Sequence, residues 1–88
     1  MDTNFQMLSK LLEVYHPQNR GFLSSMEVKL IVKTLCLNEM NVLQLRNLRD
    51  FTVLFLSQSP GNELEIMDKI SGITSVIDDF IIRNGGVV

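Results

Sequence analysis

Apolar residues return every three or four positions along nearly the whole chain, and that spacing restricts it to helices. Phe5, Leu8, Leu11, Leu12 and Tyr15 make one stripe, and Val28, Ile31, Val32 and Leu35 a second. Leu45, Leu48, Phe51 and Phe55 make a third, and Ile66, Ile70, Ile73, Ile77, Phe80 and Ile81 a fourth. No convincing strand pattern interrupts them. The chain therefore reads as all-α, a single domain over residues 1–88 built from helix–loop–helix units at 3–37 and 39–83.

Helix ends are marked by local chemistry. His16-Pro17 stops the first helix, because the residue before a proline is pushed out of the helical region. Ser24 and Glu27 form a capping box that starts the second helix, which should reach about Leu37. Asn38 is the expected N-cap of the third helix, running to about Leu56. Ser57-Gln58-Ser59-Pro60-Gly61 breaks the chain, and Asn62 with Glu65 opens a fourth helix that ends before Gly85. Val42, Leu43, Val53 and Leu54 lie off the third stripe, so that helix is apolar on more than one side. One buried face does not account for them. The surplus points to a partner.

Charge narrows the function classes. The chain carries 10 acidic and 8 basic residues, a net charge of −2, and no cluster of Lys or Arg. Binding a nucleic acid needs concentrated positive charge to displace counterions, so nucleic acid is not expected as a partner. A weakly acidic body suits a basic partner instead. One cysteine, Cys36, cannot make an internal disulfide, which favours a reducing compartment. The first residues lack the basic flank and apolar run of a signal peptide. The longest unbroken apolar run, Val53–Leu56, is four residues, against roughly 20 for a membrane span. A cytoplasmic protein without a membrane span is expected.

Candidates for chemistry are few. His16 is the sole histidine and has no second one for a metal site. Cys36 sits among apolar neighbours and reads as a buried structural residue. Glu63, Glu65, Asp68, Asp78 and Asp79 read as a solvated face and a helix N-terminus, where negative charge is favoured. Arg46 and Arg49 lack the Gly-rich loop of a phosphate site. Met7, Met26, Met40 and Met67 read as ordinary core, although methionine also suits adaptable helix-binding grooves. No catalytic constellation emerges, and neither a cofactor nor a metal is expected.

The first interhelical segment has a pattern of its own. Tyr15 precedes a stretch from His16 to Glu27 with Gly21 sixth, Leu23 eighth and Glu27 twelfth. This resembles an EF-hand loop. The Asp or Asn ligands usual at its first, third and fifth positions are replaced by His16, Gln18 and Arg20, so the resemblance is to a degenerate, calcium-independent member. The second unit aligns with Phe55 against Tyr15, Asn62 against Ser24 and Glu65 against Glu27, its loop two residues short. A twelve-residue alternative, Ser57 to Asp68, puts Lys69 where the family has an apolar residue.

The resemblance implies a single calmodulin-like lobe, comparable to a light chain of the myosin type. Such a lobe lays an amphipathic helix of a larger protein into an apolar groove. Here the groove would draw on Leu12, Val32, Leu35, Thr52, Phe55, Ile70 and Ile73, with a basic amphipathic helix as occupant. The alternative is a small four-helix bundle whose surplus apolar face makes a homodimer, serving as a regulator or immunity-type protein.

Overall fold

The computed structural model describes residues 3–14, 23–58 and 60–87, and within the first helix the side chains of 6–11. It is all-helical: α1 (Thr3–Val14), α2 (Ser25–Leu35), α3 (Val42–Ser57) and α4 (Glu63–Arg83), with a short 3-10 turn at Leu37–Glu39. Most of the expected EF-like loop, including Gly21, lies outside the described residues.

α3 and α4 form an antiparallel hairpin with the most extensive helix–helix contact in the molecule, and α1 packs on α2. Across the two units, α1 meets α3 and α2 meets α4. The seam is filled by Leu8 and Leu11 from α1, Ile31 and Leu35 from α2, and Leu37 from the 3-10 turn. Leu45, Leu48 and Leu56 from α3 join Ile73, Val76, Ile77 and Ile81 from α4. Each such side chain contributes about 1.5–3 kcal/mol by leaving water. Among the described residues two polar ones, Thr52 and Thr74, are buried with them. Their hydroxyls donate within their own helices, Thr52 to the Leu48 carbonyl at 2.7 Å and Thr74 to that of Ile70 at 2.6 Å. Neither is left unsatisfied.

The α3 stripe is rotated from its expected position. Leu45 and Leu48 are buried as expected, but Thr52 and Leu56 complete the row. Phe51 and Phe55 are half-buried and stack with ring centres 6.0 Å apart. α3 touches both α1 and α4, so it needs a wider buried face than a single stripe supplies. Its off-stripe residues Leu43, Val53 and Leu54 are exposed.

The α2–α3 junction corrects three expectations. α2 stops at Leu35, two residues early, because Cys36 takes a left-handed conformation at φ 56° and its N–H caps the Lys33 and Val32 carbonyls. Leu37 then turns into the core. The N-cap of α3 is Asn41, not Asn38: its Oδ1 accepts from the Gln44 N–H at 2.8 Å, and Gln44 Oε1 accepts from the Asn41 N–H at 3.0 Å. Cys36 is exposed, not buried as expected. A left-handed L-residue costs roughly 1–2 kcal/mol, part of which glycine returns through its freer unfolded chain. Cys36→Gly should therefore raise stability by about 0.5–1 kcal/mol, a few degrees in thermal midpoint. A lower midpoint would contradict the cap.

The other ends follow the expected chemistry. Ser24 Oγ accepts from the Glu27 N–H at 3.2 Å while a Glu27 oxygen accepts from the Ser24 N–H at 2.9 Å. Asn62 caps α4 by accepting from the Leu64 N–H at 2.8 Å, without the reciprocal bond expected from Glu65. α4 ends in a Schellman motif, with Gly86 N–H donating to the Ile81 carbonyl at 2.9 Å and Gly85 N–H to that of Ile82 at 3.0 Å.

Candidate functional site

The structure places the groove residues expected from the sequence in different surroundings. Leu35, Thr52 and Ile73 are fully buried in the core, and Phe55 and Ile70 pack half-buried against it. Leu12 lies in α1, with its side chain outside the described ones. Val32 borders open space.

That open space is a groove of about 430 Å³ between α2 and α4. Val28 and Val32 form one wall, Val76 and Phe80 the other, each pair one helical turn apart. Four residues along a helix return to the same face, so both walls are ridges with a channel between them. Lys29 and Lys33 stand on the α2 rim, Arg83 and Asp79 on the α4 rim, and Asn38 at the margin. The Arg83 guanidinium carbon lies 5.0 Å from the centre of the Phe80 ring. This cation–π contact holds the charge beside the apolar wall.

Helical geometry accounts for part of this rim. Lys33 and Arg83 occupy the last turns of their helices, where positive charge is favoured. Lys29 and Lys33 are a different matter: like charges four apart on one helix oppose each other by a few tenths of a kcal/mol. Among the described residues neither is seen in an ion pair. The one ion pair between described side chains, Arg49 Nε with Asp78 Oδ1 at 2.5 Å, ties α3 to α4. Arg46 donates to the Val87 carbonyl nearby. These two arginines are structural ties.

Other candidates resolve into structural roles. Glu27, last residue of the EF-like stretch, uses one carboxylate oxygen to cap α2. Among the described residues there is no strand, and no three His, Cys, Asp or Glu side chains gather closely enough to hold a metal ion. Glu63 and Glu65 sit exposed in the first turn of α4, as expected. Met26 and Met67 are exposed at 81% and 58%, which corrects their assignment to the core. No described helix is long and apolar enough to cross a membrane.

Sequence reasoning missed Val28, Val76 and Phe80 as groove walls and the cations above them. Lys29 and Lys33 gave a visible signal, a like-charged pair at helical spacing on the edge of an apolar stripe. Arg83 gave none, since only the fold carries it to α2. Comparisons with known protein families, with curated proteins and with solved structures find no match for this chain.

Proposed function

We propose that this chain is a non-catalytic, calcium-independent recognition module that docks an amphipathic helix of a larger protein. A degenerate EF-hand pair of the light-chain kind is the framework we assign to it. The groove between α2 and α4 carries the reading. Its walls are valine and phenylalanine ridges one turn long, with an open channel between them in which the ridge of a third helix could lie. A helix laid there would place apolar anchors at i and i+4 into the channel.

The test is a titration followed by amide NMR, using designed amphipathic helical peptides, once with a chelator and once with millimolar calcium. Saturable shifts should centre on residues 28–33 and 76–83 and be the same in both conditions. Binding seen only with calcium, or no saturable shift from any peptide, overturns the reading. A second reading rests on Leu43 and Leu54 of α3, exposed at 68% and 57%: a bundle that pairs with its own copy through that face. Sedimentation would then give a dimer that Leu54→Glu returns to monomer.

A further inference from the structure

We infer that the α2–α4 groove selects an acidic amphipathic helix, the opposite sign to that suggested by the protein's net charge; this rests on the groove being a helix-docking site. Three cations, Lys29, Lys33 and Arg83, stand over its walls against the single carboxylate of Asp79. They are 3 of the 8 basic side chains in a chain whose net charge is −2. Positive side chains thus outnumber negative ones around this groove, against the sign of the whole chain.

The arrangement fits a helix better than a loose polyanion. The channel between the ridges takes apolar side chains, while cations on both edges meet acidic residues flanking them. Lys29 and Lys33 repeat at the one-turn interval at which a partner helix would repeat its own Glu or Asp. Arg83 is already held along Phe80, so less freedom is lost when it meets a carboxylate. A carboxylate between Lys29 and Lys33 would also relieve their mutual repulsion. Asp79 marks one place on the rim where an acidic residue is disfavoured.

Three peptides with identical apolar positions, flanked by Glu, Gln or Lys, are titrated by fluorescence anisotropy at low and at high salt. The Glu peptide is expected to bind at least tenfold tighter than the Lys peptide at low salt, and the preference should shrink as salt screens the charges. The double change Lys29→Glu with Lys33→Glu should reverse the order, its fold checked by circular dichroism. Asp79→Asn should tighten the Glu peptide several-fold. Equal affinity for all three peptides, or an acid preference untouched by the double reversal, overturns the inference while leaving the docking groove standing. If none of the three binds, the groove reading itself falls. Saturable binding of decanoate at the groove without any peptide binding overturns it in favour of an anionic lipid.

Discussion

Ile77→Ala should cost about 2–5 kcal/mol, the usual range for truncating a fully buried isoleucine. Ile77 has no exposed surface and lies on the core face of α4 with Ile73 and Ile81. Removing its outer carbons leaves a gap that the two long helices cannot close without shifting. A chain of 88 residues has roughly 4–13 kcal/mol of total stability, so this one change removes a large share of it. The thermal midpoint should fall by about 10–30 °C, followed by circular dichroism. Ile82→Ala is the control. Ile82 is the same residue type on the same helix but 59% exposed, and its loss should cost under about 0.5 kcal/mol. Equal shifts from the two would mean that α4 is not turned as described.

Gly86→Ala is the second large effect, expected to cost about 1–3 kcal/mol through overpacking. A Cβ there would lie 2.6 Å from Ile81 Cγ2, 2.9 Å from Val42 Cγ1 and 3.1 Å from the Ile81 carbonyl oxygen. None of these is the loose end of a flexible side chain. Either Gly86 gives up its bond to Ile81, or the end of α4 moves off the first turn of α3. The Arg46 contact to Val87 should loosen with it. Gly85→Ala separates this cause from backbone strain. Gly85 has nothing within 4 Å of its added Cβ, but its φ of +87° is unfavourable for an L-residue. It should cost about 1 kcal/mol without disturbing Val42. Amide shifts at Val42 that respond equally to both changes would contradict this division.

The helices could be read from the chain because each has a stripe and most have a signalled start. Ser24 with Glu27 and Asn62 stand where the structure starts α2 and α4. The α2–α3 junction was harder for a physical reason. Asn38 and Asn41 are equally good caps in isolation, and what decides between them is Leu37, which must reach the core and so forces an extra turn first. Nothing in the local sequence announces that Cys36 will adopt a left-handed backbone. On α3, the choice between Phe55 and Leu56 as the inward residue depends on the angle at which α1 and α4 are met. The groove was the least legible part. Net charge is an average over the chain and does not reveal that Arg83 is delivered beside Lys29 and Lys33.

The Arg49 tie to α4 bears on binding thermodynamics. Asp78, held by Arg49, lies in the same turns of α4 as Val76 and Phe80, which face the groove from another side of the helix. The C-terminal cap and the seat of Gly86 fix the end of that helix as well. Folding therefore immobilises one wall of the groove before any partner arrives. If a helix docks there as proposed, little ordering entropy is lost on that side, and most of the entropic cost falls on the incoming helix. A partner segment stiffened into a helix in advance, by a lactam or a staple, would gain affinity, whereas stiffening α4 further would gain almost none.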